Sequence, residues 1–258
     1  MQNKRYPKIT IITPSFNQGK FIRETIESVL SQNYPNLEYW VIDGGSTDDT
    51  CAILKSFGKK IKWISEKDRG QTDALNKGLK RSTGEIIAYL NSDDVYLPNT
   101  LFTVAEYFMA HQNAQWLTGD YFIIDTVGKK IQSYVATYKT VFREHLTLPL
   151  LLILNPIIQP STFWRKSVQD KIGFFDTKLR YCMDYDFWLR AMKYSKPHVL
   201  KQHFSLFRIH GSSKGGAEYA KQFIEEYDVA SMHTSNLFYL LLHKIHATSI
   251  VAAYTLIK

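Results

Sequence analysis

Gly84-Glu85-Ile86-Ile87-Ala88-Tyr89-Leu90-Asn91-Ser92-Asp93-Asp94-Val95-Tyr96-Leu97-Pro98 is the stretch that decides how this 258-residue chain is read. Its apolar run, residues 86–90, lies between Gly84 and a polar segment, the pattern of a strand buried on both faces of a parallel sheet. The run ends in two adjacent carboxylates, Asp93 and Asp94, and Pro98 prepares a following helix. Ligands of open α/β sheets gather beyond the carboxyl ends of the strands. Two acids placed there repel each other unless a cation or several donors hold them. A divalent metal bridging a diphosphate meets that need, because hard cations combine a few carboxylates with phosphate oxygens. The competing reading is an Asp-Asp turn that caps the next helix.

Upstream of this stretch, apolar strands and helical patterns alternate. Residues 9–13, 37–43 and 61–65 read as strands. Helices over about 21–32, from 48 onward and from 71 onward follow them, each with apolar residues at helical spacing, such as Ile22, Ile26, Val29 and Leu30. A helix over about 98–111 and a strand at 115–118 come next. Four strand–helix units in succession predict a mostly parallel sheet flanked by helices. No G-x-G-x-x-G pattern follows the first strand, and no phosphate-binding lysine loop occurs, which argues against dinucleotide-binding and ATPase readings. Asp43 ends the second strand at the same sheet edge as Asp93 and Asp94 and is expected to touch ligand. Asp48 and Asp49 open a helix, where acids serve as caps.

Composition narrows the partners. The formal charge is +8 and the chain is 45% hydrophobic, with a sequence pI of about 9.2. Such a chain buries a substantial core and attracts anionic partners. No Lys/Arg-rich run or zinc spacing supports nucleic acid among them. The two cysteines, Cys51 and Cys182, form no motif, which suits a reducing compartment. The first eight residues lack the features of a signal peptide. Residues 146–158 are too short and too broken by proline to span a membrane. A cytoplasmic location is expected.

After Gly119 the texture changes. Residues 121–124 and 130–134 flank a Thr-Val-Gly turn and predict a hairpin. A helix opens around Tyr181, residues 204–210 alternate like a strand, and a glycine- and serine-rich loop follows from 211 to 216. Two helical patterns close the chain, near 218–234 and 237–257. The last is apolar with His243, Lys244 and His246 interspersed, and three partners suit its buried side. These are the chain's own domain, a second copy in a homodimer, or an anionic membrane surface.

Four motifs in order then become specific: Thr13-Pro14-Ser15-Phe16-Asn17, Val41-Ile42-Asp43-Gly44-Gly45-Ser46-Thr47-Asp48, Asn91-Ser92-Asp93-Asp94 and Met183-Asp184-Tyr185-Asp186. Together they resemble the family 2 glycosyltransferases of the GT-A fold over residues 8–211. The resemblance implies a Rossmann-like α/β domain over 1–215 and a helical tail over 216–258. Within the domain, about 8–120 would bind the nucleotide-sugar donor and 121–215 the acceptor. Pro14, Ser15, Phe16 and Asn17 would line the nucleotide pocket, with Asp43, Gly70 and Asp93 as further donor contacts. Asp93, Asp94 and His210 would hold a divalent cation, Mn2+ or Mg2+. Asp184 matches the general base of inverting members, which leaves Asp186 a structural acid. The implied donor is a UDP-sugar, and the implied acceptor a hydroxyl of a glycan or lipid-linked saccharide, with peripheral contact at the inner face of the membrane. Gly44 departs from the second acid common after the second strand, and Met183 from a common Glu beside the base. Trp164, Trp188 and Tyr185 are candidates for stacking on sugar or for the core, and Arg165 and Arg208 for phosphate or the surface. A non-catalytic sugar-nucleotide-binding subunit and a nucleotidyltransferase are the competing functions.

Overall fold

The computed structural model describes residues 5–211 and 219–257. Its first half alternates as the sequence predicts: β1 (Ile9–Ser15), α1 (Ile22–Leu30), β2 (Leu37–Asp43), α2 (Thr50–Ser56), β3 (Lys62–Ser65), α3 (Gln71–Arg81) and β4 (Ile86–Tyr89). A two-residue β5 (Val95–Tyr96) and α4 (Thr100–Ala110) follow. Then come β6 (Trp116–Ile124), β7 (Lys130–Ile131), α5 (Ser133–Glu144), α6 (Leu148–Ile153), β8 (Thr162–Arg165), α7 (Lys166–Ile172), α8 (Met183–Tyr194) and β9 (His198–Arg208). The chain closes with α9 (Tyr219–His233) and α10 (Leu237–Ile257). From residue 212, the glycine- and serine-rich loop lies outside the described residues.

The strands form one sheet in the order β3-β2-β1-β4-β8-β6-β9-β5, with β7 paired to β6. The pairings of β1 with β2 and β4, and of β2 with β3, are parallel. Strand β8 runs antiparallel to both β4 and β6, so the sheet becomes mixed in its second half. Adjacent residues on the central strands serve opposite faces, as the two-residue period of a strand requires. Ile12, Ile42 and Ile87 pack with Ala74, Leu75 and Leu79 of α3 and with α8. Ile11, Val41 and Ile86 pack with Ile22 and Ile26 of α1 and with Leu101, Val104 and Phe108 of α4. Each fully buried aliphatic side chain contributes about 1.5–3 kcal/mol. Of the central strands only β4 reads as an unbroken apolar run, since Thr10 and Thr13 interrupt β1 and Glu38 interrupts β2.

The ambiguous aromatics belong to this core. Trp116 and Trp188 stack with ring centroids 5.5 Å apart, and Trp164 meets Trp188 edge-on. The Tyr185 hydroxyl donates to Leu151 O. None of the three candidates is placed to stack on a sugar. Arg165 donates to the carbonyls of Phe108 and Ala114 at and beyond the end of α4, which gives that helix end a cation and keeps Arg165 partly exposed, away from the carboxyl edge of the sheet.

Two expectations change. The predicted hairpin exists, but β7 is only two residues long, because Gln132 adopts a left-handed conformation (φ 47°) and opens α5, which takes in Tyr134. The short strand at 115–118 and the hairpin strand at 121–124 are one continuous strand, β6. Gly119 sits inside it at a register shift against β9, and a side chain there would fall 2.3 Å from the Phe204 ring. The glycine that reads as a strand end is a close-packing point inside a strand.

In the tail, α10 buries Leu240, His243 and Ala247, and His243 Nδ1 donates to Leu152 O of α6. The chain's own domain thus covers the tail's buried side. Among the described residues no helix is long and apolar enough to cross a membrane.

Replacing Gly119 with alanine is expected to cost about 1–3 kcal/mol through overpacking against Phe204. Urea unfolding of Gly119→Ala measures it, and an unchanged midpoint would contradict the packing.

Candidate active site

The parallel strands bring three loop origins to one edge, with Ser15, Asp43 and Ser65 in register across β1, β2 and β3. Asp43 is fully buried there. Its carboxylate accepts from the backbone N–H of Gly45 and Ser46 and from the hydroxyls of Ser46 and Ser65. Asn17, at φ 52°, ties the first loop to the second. Its N–H donates to Ser46 Oγ at 2.7 Å, and its Oδ1 accepts from Thr47 N–H at 2.9 Å. Asp43 and Asn17 therefore shape the loops, while Pro14, Ser15 and Phe16 face the cavity. The Phe16 ring is left 59% exposed. At Gly44 an added Cβ would stand 2.7 Å from Asp68 Oδ2, so the Asp68 side chain packs in the space that a side chain at 44 would take.

The two acids after β4 have different surroundings. Asp94 is fully buried; one oxygen accepts from Arg208 N–H at 2.9 Å and the other from Asn91 Nδ2 at 3.2 Å. Burial, reinforced by the charge of Asp93, pushes the Asp94 carboxyl well above the usual carboxylate range. Asp93 lines the cavity, with its Oδ2 2.9 Å from His210 Nε2. Arg208 binds the whole corner. Its guanidinium donates to Asp93 O, Asp125 O and Glu24 Oε2, and lies over the Phe21 ring. Arg208 is 2% exposed, which excludes the surface role, and it lines the cavity beside Asp93 and His210.

The cavity that results has a volume of about 850 Å3. Phe16 lines one part, and Asp93 and His210 another. Gly70 and Gln71 bring the N-terminus of α3, and residues 177–180 form the wall that leads into α8. Gly70, at φ 112°, makes the turn into α3 in a conformation that favours glycine. Lys67, Arg69, Lys178 and Arg180 also line it and are exposed. Sequence reading passed over these four, and their only signal is the excess of basic residues. It also passed over Gln71, whose amide donates to Asn91 Oδ1, while Asn91 in turn donates to Gln159 Oε1.

Asp184, the second residue of α8, is half-buried and is not among the residues lining this cavity. Its charge and that of Asp94 both act on the buried Tyr89 hydroxyl, which burial above all pushes well beyond the usual phenol range. Asp186 pairs with Arg190 and with His233, the structural part expected of it.

Among the described residues no three His, Cys, Asp or Glu side chains form a metal cage. Asp93 Oδ2 and His210 Nε2, joined by a hydrogen bond on the cavity wall, offer one oxygen and one nitrogen donor to a cation that displaces the shared proton. That donor set fits a divalent cation that completes its shell with phosphate oxygens. Asp94 differs, since it is fully buried and both of its oxygens already accept hydrogen bonds.

Comparison with known proteins bears on this arrangement. The sequence profile of glycosyl transferase family 2 matches residues 10–173. An uncharacterized glycosyltransferase of Rickettsia typhi is 31% identical over 229 residues, 88% of this chain and 71% of the relative. The PGL/p-HBAD biosynthesis glycosyltransferase of Mycobacterium bovis is 28% identical over 204 residues, 76% of this chain and 73% of its own length. Among solved structures, S. aureus TarS 1-349 in complex with UDP-GlcNAc superposes with a TM-score of 0.70 at 21% identity. That match covers 89% of this chain and 67% of TarS 1-349. The mannosyltransferase PcManGT of Pyrobaculum calidifontis, in complex with GDP-Man and Mn2+, gives 0.69 at 18% identity, over 97% of this chain and 76% of its own. The mixed sheet flanked by helices is the fold of these structures, and the chain belongs to glycosyltransferase family 2.

Proposed function

We propose that the chain transfers a sugar, with inversion, from a UDP-sugar to a hydroxyl of a glycan or lipid-linked saccharide. The observation that carries this reading is one cavity that joins an exposed aromatic ring, the start of a helix and the Asp93–His210 pair. A nucleotide sugar has a flat base, an anionic diphosphate and a polar ring to place on such a surface. The TarS fragment holds UDP-GlcNAc, which favours uridine for the base, and PcManGT holds GDP-Man with Mn2+.

In this reading residues 8–120 form the donor half, 121–215 the acceptor half and 216–258 a tail. Phe16 stacks on the base. The exposed cations at 67, 69, 178 and 180 draw in the anionic donor, and the N-terminus of α3 faces its phosphates. A divalent cation bound at Asp93 and His210 would neutralise charge on the departing diphosphate. Asn91, Asp94 and Arg208 keep Asp93 in position. Asp184 accepts the proton of the attacking hydroxyl as general base. Transfer is a direct in-line displacement and needs no covalent sugar–enzyme intermediate.

The tail supports a location at the inner face of the cytoplasmic membrane. Although α10 packs on the domain, Leu237, Phe238, Leu241 and Ile245 remain more than half exposed along it, with Lys244 beside them. An apolar helix face with cationic neighbours suits an anionic membrane surface.

Asp184→Asn is expected to lower the rate of sugar transfer about 100-fold or more while donor affinity stays unchanged. A near-wild-type rate for this variant, with Asp186→Asn inactive, would assign the base to the wrong acid. For the tail, the full chain should sediment with phosphatidylglycerol vesicles at low salt, and a Phe238→Ser, Leu241→Ser double variant should not. Indifference of the wild-type chain to vesicles would contradict the membrane location. A concentration-dependent dimer lost in the double variant would assign the face to a second copy.

A further inference from the structure

Helix α9 lies beyond the stretch that the family profile matches, 10–173, yet it packs on α8, the helix that carries Asp184. The contact is specific. The Glu225 carboxylate of α9 accepts three consecutive backbone N–H groups, from Arg180 (3.1 Å), Tyr181 (2.6 Å) and Cys182 (2.7 Å). These residues lead directly into α8, whose N-cap, Cys182, makes no side-chain capping bond of its own. A helix start leaves several donors without intrahelical partners and carries partial positive charge. Here the acceptor for the donors just ahead of it comes from 43 to 45 residues further along the chain. The same helix grips α8 again through His233, whose Nε2 lies 2.8 Å from Asp186 Oδ1.

One residue on, Glu226 is 6% exposed, and the charges of Asp184 and of Lys139 from α5 both act on it, together with the Asn155 N–H. The hydroxyls of Tyr185 on α8 and Tyr138 on α5 feel its charge as well. Arg143 acts on Lys139 in turn, and Lys139 and His243 act on His246 of α10. A second acid with no part in the donor cavity is thus gathered beside the proposed base.

We propose that α9 belongs to the catalytic apparatus, with Glu225 positioning the start of the base helix and Glu226 standing beside Asp184 as a second carboxylate. The inference rests on the assignment of Asp184 as general base. Neighbouring carboxylates hold protons more tightly than isolated ones, so a negative charge at 226 makes Asp184 a stronger base, while Lys139 limits the repulsion. Burial, with Asp184 adding to it, pushes the Glu226 carboxyl up to about 7, against the pull of Lys139 and the Asn155 N–H. The negative charge at 226 therefore develops as pH rises through neutrality.

The test uses the full chain and the release of nucleoside diphosphate, with water as acceptor, from UDP-GlcNAc, UDP-glucose, UDP-galactose and GDP-mannose. On whichever donor the wild type cleaves, Glu226→Gln should lower kcat about tenfold or more and leave the donor KM unchanged. The rise of rate through about pH 7 should vanish, and the remaining acid limb should move to lower pH. Glu226→Asp should restore part of the rate. Glu225→Gln should lower kcat at unchanged KM and speed hydrogen exchange at the amides of 180–182. Wild-type kcat and pH profile in Glu225→Gln and Glu226→Gln, with Asp184→Asn inactive, would overturn the inference and leave the proposed function standing. So would losses no larger than the loss of folded protein seen by circular dichroism. An active Asp184→Asn, or a wild type that cleaves none of the four donors, would overturn the base or the function itself, and this inference with it.

Discussion

Two adjacent acids sit at the end of one buried strand, where burial keeps the Asp94 carboxyl well above the usual carboxylate range, and Arg208 ties the corner around them together. Its backbone N–H binds Asp94, and its guanidinium binds the Asp93 carbonyl, Asp125 and Glu24. A buried guanidinium without such partners would be strongly destabilising. With them it fastens the end of β9 to the loop after β4. His210, two residues further on, therefore comes to rest against Asp93. The pairing of an oxygen and a nitrogen donor on the cavity wall follows from this one tie between distant parts of the chain.

A parallel economy governs the other acids. Asp43 and Asp94 are both fully buried and bonded to their own loops and to a neighbouring strand, and each presents a neighbour to the cavity: Phe16 by way of the stitched loops, and Asp93 directly. Fixed loop geometry lowers the entropy lost when a ligand binds, and it separates the residues that build the site from those that touch the ligand. On the far side α9 does the same for α8, since Glu225 and His233 hold a helix whose start carries the half-buried Asp184.

How much of this was legible in the sequence depends on how local each signal is. The strands read at 9–13, 37–43 and 86–90 declare themselves because burial on both faces keeps them mostly apolar, and the carboxyl-edge rule then points to Asp93. Helical spacing turns Asp186 away from Asp184, and the structure pairs it with Arg190 and His233. Gly119 misled, because glycine marks strand ends and close-packing points alike, and only the Phe204 ring distinguishes them. The roles of Arg208 and Glu225 were out of reach. Their partners lie more than 40 residues away, and a lone Arg or Glu carries no mark of burial. For Asp43, position at the sheet edge was correctly read, but the edge does not reveal whether a carboxylate faces ligand or its own loop.

The central claim is that the cavity bounded by Phe16, the start of α3 and Asp93 with His210 is a nucleotide-sugar site. A thermal-shift titration of the wild-type chain and Asp93→Asn with UDP-GlcNAc, with and without manganese, tests it most directly. A ligand that binds only the folded chain raises the melting temperature by mass action. The account predicts a rise for the wild type that is larger with manganese, and no manganese-dependent gain for Asp93→Asn. A shift of equal size in both proteins, or no shift for UDP-GlcNAc, UDP or GDP-mannose, would contradict it.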